Sequence, residues 1–323
     1  MRNPELSIIM PVYNAAKYVA EAVDSLLVQS FSDFELIVVD DASTDGSFDI
    51  LQEYKDSRIR LLHNEKNSGI VFSRNRGLQN AAGEYIAQFD ADDVALPRKF
   101  EKQLRFLKRH SDYGMVGSWV RFIDSDGKLM KEKWKLPAKP VYIPAIMLFR
   151  NYFVQSAVVA RRQAIPEGGY RKGYDVVEDY KMWIAIAAKH KVWNLPEYLV
   201  NYRIHQQSAT NSDSRRLTNQ DQLIYRDLFS DLDMELTPQN FDVHMIIKQN
   251  NPIVKTETLK RIEEHLKMLY LQNRKTNIYP EKVLGKVIFN RWTKCCFRAR
   301  TLGPKTLGMF LSSSITKNQL FAG

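Results

Sequence analysis

Cysteine is scarce in this 323-residue chain, with only the neighbours Cys295 and Cys296, and no acidic residue follows Glu281. No apolar run approaches the ~20 residues a membrane-crossing helix needs. Adjacent cysteines suit neither a disulfide framework nor the spacing of a metal site, so a reducing compartment is expected. A strand-like segment, Leu6 to Met10, opens the chain where a basic and apolar leader would stand. The expectation is a cytoplasmic protein, neither secreted by a leader nor embedded in a bilayer.

What is present points to a folded enzyme-sized chain. Hydrophobic residues make up 44% and aromatics 11%, enough to offset chain entropy, so disorder is excluded. The net charge is +10, but Lys282 to Gly323 holds eight Lys/Arg and no Asp/Glu, so the rest of the chain is nearly balanced and the excess sits in the tail.

The first ~110 residues alternate strand and helix patterns, which predicts an α/β fold with a mostly parallel, Rossmann-like sheet and flanking helices. Strands are expected at Leu6 to Met10, Leu36 to Val39, Ile59 to Leu62 and Tyr85 to Phe89. Helices are expected at Ala16 to Gln29, from a cap at Ser47, from Gly69 to Ala82, and from near Pro97. Met115 to Val120 and Phe122 to Lys128, with Asp126-Gly127 as a turn, read as a hairpin, Tyr152 to Ala160 as a strand, Glu178 to His190 as a helix, and the chain beyond about Asn211 as a helical C-terminal extension. Ligands of open α/β sheets bind outside the carboxyl ends of the strands. Pro11 to Asn14, Asp40 to Ser47 and Asp90 to Asp93 all follow strands, so these polar loops should meet on one edge.

Asp90-Ala91-Asp92-Asp93 is the segment richest in chemistry. Two carboxylates about 4 Å apart repel by roughly 4 kcal/mol at an effective dielectric near 20, so convergent acids usually share a cation. A hard ion such as Mg²⁺ or Mn²⁺ suits the oxygens and keeps positions open for substrate phosphates. The residues alone leave a solvated acidic turn capping the next helix as the alternative.

Six blocks in order widen the view: Pro11-Val12-Tyr13-Asn14, Val39-Asp40-Asp41-Ala42-Ser43-Thr44-Asp45-Gly46-Ser47, Asn67-Ser68-Gly69 with Ser73-Arg74-Asn75, Asp90-Ala91-Asp92-Asp93, Glu178-Asp179, and Tyr202-Arg203-Ile204-His205. Over residues 5–210 the chain resembles the family 2 glycosyltransferases, inverting enzymes with the GT-A fold that move a sugar from a nucleotide diphosphate to an acceptor. The resemblance implies a nucleotide-sugar-binding half over 1–110, an acceptor-binding half over 111–210, and a helical basic extension over 211–323. It implies Pro11, Tyr13, Asn14, Asp41, Arg74, Asp90, Ala91 and Asp92 around a UDP-sugar. In it Asp41 accepts the uracil imide N–H and Arg74 faces the nucleotide. Mn²⁺ or Mg²⁺ is implied on Asp92 or Asp93, with His205 near the metal or diphosphate.

For the acceptor side the resemblance implies a base at Asp179, with Glu178 as the fallback. Read without it, the same acids could merely complement the dipole of the helix they begin. Processive sugar polymerases of the family carry Gln-x-x-Arg-Trp; here Ile288 stands where the Gln would precede Arg291-Trp292, so addition of one sugar is expected.

Val283, Leu284, Val287, Ile288 and Trp292 form an apolar helix side flanked by Lys282, Lys286, Arg291, Lys294 and Arg298, with Arg291 falling among the apolar directions, which suits either an anionic membrane surface or packing on the protein. The expected partners are a UDP-sugar and a glycan acceptor, lipid-linked if the tail meets a membrane. No nucleic acid is expected, because no binding motif occurs. The rivals are a sugar nucleotidyltransferase, which would need a glycine-rich loop absent after Leu6 to Met10, and a non-catalytic basic scaffold at a membrane or on nucleic acid.

Overall fold

The computed structural model describes residues 3–137, 139–206, 214–249 and 251–320. It divides into two compact units, Met1–Pro140 with Tyr152–Gln220, and Val141–Asn151 with Asp221–Gly323. The expected division at 110/111 therefore falls inside the first unit, and 141–151 groups with the helical region.

The first unit begins β1 (Leu6–Val12), α1 (Val19–Leu27), β2 (Phe34–Asp40), α2 (Ser47–Glu53), β3 (Ile59–His63), α3 (Ile70–Asn80), β4 (Tyr85–Gln88). β1 and β2 are apolar without alternation because both faces are covered. β1 pairs in parallel with β2 and β4, and β2 with β3, which gives the order β3-β2-β1-β4. The chain leaves β1 in one direction and returns to its other side for β4. That reversal is a topological switch point, flanked by the loops after β1 and β4. α3 lies hard on β1: a Cβ at Gly77 would stand 2.3 Å from Ile9 Cγ2.

β5 (Val94–Ala95), α4 (Lys99–Arg109), β6 (Tyr113–Ile123) and β7 (Leu129–Trp134) follow, and this unit resumes after 151 with β8 (Val159–Arg161), α6 (Glu178–Ala187) and β9 (Lys191–Arg203). The sheet runs β3-β2-β1-β4-β8-β6-β9-β5, with β7 on β6. β8 is antiparallel to β4 and β6, while β6 and β9 are parallel. Three expectations are corrected here. The hairpin turns at Asp126-Gly127 as expected, closed by Gly127 N–H on the Asp124 carbonyl (3.1 Å), but its second strand is β7, which begins at Leu129 beyond the expected Lys128. Tyr152 to Ala160 is mostly irregular, with a 3₁₀ turn at Gln155–Ala157. Ser47 is not a cap: Gly46, at φ 89°, precedes α2, and Ser47 Oγ instead accepts the Ala15 N–H at 2.8 Å.

Within the second unit are α5 (Ile143–Met147), α7 (Ser214–Asp231) from Asp221 onward, α8 (Pro238–Lys248), α9 (Thr256–Thr276), α10 (Glu281–Arg298), α11 (Pro304–Ser312) and α12 (Ser314–Leu320). Leu284, Val287, Ile288 and Trp292 of α10 are buried, and Trp292 donates its indole N–H to Thr316 Oγ1 (3.2 Å). The apolar side expected to face either lipid or protein is thus packed inside this unit. Both cysteines are buried and free. His244 is sealed in the same core: its ring stacks on Phe149, Nε2 lies 3.0 Å from the Leu148 carbonyl, and Nδ1 lies 3.1 Å from His265 Nε2. A carbonyl only accepts, so Nε2 of His244 carries the proton and the His265 N–H donates to Nδ1.

Candidate active site

The loops after β1 and β2 are buttoned together. Asn14 takes a left-handed conformation (φ 50°), donates its N–H to Ser43 Oγ (3.0 Å), and accepts the Thr44 N–H on Oδ1 (2.8 Å). Pro11 is buried at the end of β1, whereas Tyr13 is half exposed beside it. Asp40 is sealed, with Oδ2 on His63 Nδ1 (2.9 Å) and the Ser43 N–H (3.2 Å). Asp41 is buried too. Its carboxylate accepts from Asn64 Nδ2 (2.5 Å) and the Ser68 and Gly69 N–H groups (2.9 and 2.8 Å) just before α3.

The acidic loop has an inner and an outer side. Asp93 is turned inward: it is 1% exposed, and Oδ1 accepts the Arg203 N–H at 2.8 Å. Burial pushes its carboxyl well above the usual range. Ala91 is packed in the core. Asp92 faces the open side, where Oδ2 meets His205 Nε2 at 2.8 Å. Asp90 receives Arg74 Nη2 at 3.0 Å on its side chain, and its N–H donates to Ser156 Oγ at 3.0 Å.

Arg74, which the family resemblance places facing the nucleotide, is turned into the protein. Its side chain is 6% exposed, with Nη1 3.5 Å from Glu178 Oε1 and the guanidinium 5.5 Å over the Tyr170 ring. Burial works against its charge, but the Glu178 and Asp90 carboxylates outweigh that and hold it firmly protonated. Glu178 is buried, and burial pushes its carboxyl up to about 8 against the pull of Arg74. Asp179, in the same first turn of α6, is partly exposed. The structure therefore separates the acidic pair into an inner Glu178 and an outer Asp179.

Sequence reasoning missed Arg203 as a functional part. Fully buried at the end of β9, it donates Nε to the Asp92 carbonyl (2.7 Å) and Nη1 to the Asp124 carbonyl (3.1 Å), pairs with Glu21, and lies over the Tyr18 ring. It clamps the acidic loop from behind. Its place in Tyr202-Arg203-Ile204-His205 was the available signal.

The donor set can be tested against a divalent ion. Among the described residues no three His, Cys, Asp or Glu side chains converge as a self-sufficient site. Mg²⁺ and Mn²⁺ need only one or two protein ligands when phosphates complete the shell. Asp92 and His205, in contact and both partly open, fit that smaller requirement; the inward Asp93 does not.

Comparison with known proteins fits this geometry. The family model described as glycosyl transferase family 2 matches residues 7–168. The O-antigen biosynthesis glycosyltransferase WbnJ of Escherichia coli is 34% identical over 216 residues, covering 64% of this chain and 82% of that protein. The putative glycosyltransferase EpsE of Bacillus subtilis is 36% identical over 212 residues, or 62% of this chain and 73% of EpsE. Among solved structures, S. aureus TarS 1–349 in complex with UDP superposes with a TM-score of 0.57 at 18% identity, covering 99% of this chain and 92% of the TarS 1–349 chain. The mannosyltransferase PcManGT from Pyrobaculum calidifontis, in complex with GDP-Man and Mn²⁺, gives 0.54 at 16% identity, covering 99% and 85%.

Proposed function

This chain belongs to glycosyltransferase family 2, with the GT-A fold, and from there we propose that it moves one sugar, with inversion, from a UDP-sugar to a hydroxyl of a lipid-linked glycan. The observation that carries the reading is the reach of one guanidinium: Arg74 touches Asp90 of the donor-side loop and Glu178 beside Asp179. Asp179 is the base. The partial positive charge at the start of α6 keeps its carboxylate ionised, and the attacking hydroxyl passes it a proton as the new glycosidic C–O bond forms and the bond from the anomeric carbon to the diphosphate oxygen breaks. Asp92 and His205 would hold Mn²⁺ or Mg²⁺, which when bound would supply neutralisation of the charge on the departing diphosphate.

Asp41 supports a uracil base. A carboxylate accepts about four hydrogen bonds, and three are taken, which leaves one for the imide N–H. One solved relative is described with UDP and the other with GDP-Man, so the base is a property to measure in this chain. Calorimetry of UDP and GDP, each with and without Mn²⁺, tests nucleotide and metal together. UDP binding that strengthens with Mn²⁺ is expected; binding indifferent to the metal, or a preference for GDP, would count against the reading.

The lipid-linked acceptor implies work at a membrane surface, although among the described residues no helix is long and apolar enough to cross one. With the apolar side of α10 consumed internally, the surface left for lipid is Phe297, Leu307 and Leu311, all exposed, with Lys294, Arg300 and Lys305. Sedimentation with phosphatidylglycerol vesicles but not phosphatidylcholine vesicles is expected, and equal behaviour with both removes this part of the proposal.

A further inference from the structure

Three consecutive residues at the start of α3 each hold a different part of the site. Ser73 Oγ accepts from Asn64 Nδ2 at 3.0 Å, and the same amide donates to Asp41. Arg74 joins Asp90 to Glu178. Asn75 makes a two-way clasp with the backbone of Tyr170, donating Nδ2 to the carbonyl at 2.8 Å and accepting the N–H on Oδ1 at 2.7 Å.

Successive helix positions point about 100° apart, so one turn can address three segments only where the chain folds around it. The loop between β8 and α6 comes close enough because Gly169 has no side chain. Its φ is +68°, and a Cβ there would stand 2.4 Å from Asn75 Oδ1. Gly77, pressed on Ile9, keeps α3 from rolling. Tyr170 completes the seat: its ring lies beneath the guanidinium, and its hydroxyl accepts from Gln155 Nε2 at 3.0 Å.

We propose that Arg74 is a positioning residue that fixes the acceptor-side helix α6 relative to the donor-side acidic loop, so that Asp179 stands in register with the bond to be broken. The inference rests on the reading of Asp179 as the base. Arg74 is nearly sealed from solvent and both its ion-pair partners are protein carboxylates, so its proposed contribution passes through Asp90 and Glu178. A point charge cannot replace it, because a lysine ammonium lacks the planar fork that spans two carboxylates.

The test is a double-mutant cycle with two readouts. Arg74→Lys and Arg74→Met are each expected to lower kcat about a hundredfold, the usual cost of about an ångström of misplacement, while the UDP Kd from calorimetry moves less than about threefold. Arg74→Met leaves the buried Glu178 carboxyl without the group it faces. Adding Glu178→Gln to Arg74→Met should therefore restore part of kcat, making the two changes strongly non-additive. Thermal unfolding of Arg74→Lys checks that the variant is folded. Additive losses, or loss of UDP affinity in step with kcat in folded Arg74→Lys, overturn the proposal. An active Asp179→Asn enzyme removes the base on which it rests, and that result is read from a different variant.

Discussion

Each unit buries a cluster of ionisable side chains, and the two clusters are built on contrary principles. In the sheet unit Arg74 lies between Asp90 and Glu178 as a charged group among acids, at the mouth of loops that stay partly open. In the helical unit His244 and His265 are neutral, sealed by Phe149, Tyr225 and Phe229, and His244 is satisfied by one carbonyl and the ring of His265. Buried charge is expensive and is seldom the best way to stabilise a fold. The contrast teaches where a charged network is drawn together: at the candidate active site, whereas the histidine pair of the helical unit stays uncharged and that unit's buried charge, among the described residues, is confined to the Asp221–Lys248 pair.

Breaking the charged cluster's chemistry should give the largest effect. Asp179→Asn is expected to reduce transfer by about a thousandfold or more while UDP binds as before, as measured by product formation and calorimetry. A smaller loss is expected on the open side of the acidic loop. His205→Ala should raise the Mn²⁺ concentration needed for half-maximal activity by about 10- to 100-fold. The neutral pair answers to stability and not to catalysis. His244→Phe leaves the Leu148 carbonyl and the His265 ring without their partner, a cost of about 1–3 kcal/mol for each unsatisfied group, seen as a lower Tm with UDP affinity unchanged.

The same pair has a pH signature. Burial pushes His265 down to about 4 and His244 well below 6.5; the His265 ring, Lys248 and Arg291 add to the depression of His244. The unfolded chain therefore takes up protons that the folded one refuses. The contribution of these histidines to stability is complete above about pH 6.5 and shrinks as pH falls toward 4. Acid titration followed by circular dichroism should find that His244→Phe flattens this slope.

Much of the first half was legible in the sequence, and the reason is physical. Parallel strands covered on both faces read as unbroken apolar runs, and the loops after them are polar because the site is there. β6 with β9 was harder to see, because strands far apart in the chain pair with three register shifts and no local pattern announces a partner. Within the acidic loop, composition could not say that Asp93 turns inward and Asp92 outward, since the tight turn alone decides which way each carboxylate points. Arg203 was quoted within its motif, but its partners Glu21, Asp92 and Asp124 are contributed by three distant segments. The apolar side of α10 has one composition for two fates, lipid or protein. Only the positions of its neighbours distinguish them, and here Trp292 meets Thr316 across the helices.

The acidic loop leaves β4 and enters β5, and β5 pairs not with β4 but with β9, its Val94 opposite Asn201 and Ala95 opposite Val200. Three strands, β8, β6 and β9, stand between its ends in the sheet. The loop is therefore a strap thrown across the curl of the sheet, anchored at both ends by ladder hydrogen bonds and cinched by Arg203. In the proposed function, a diphosphate held at the strap bears on β4 and on β9 through one short segment, so the donor site is tied to both ends of that span of the sheet.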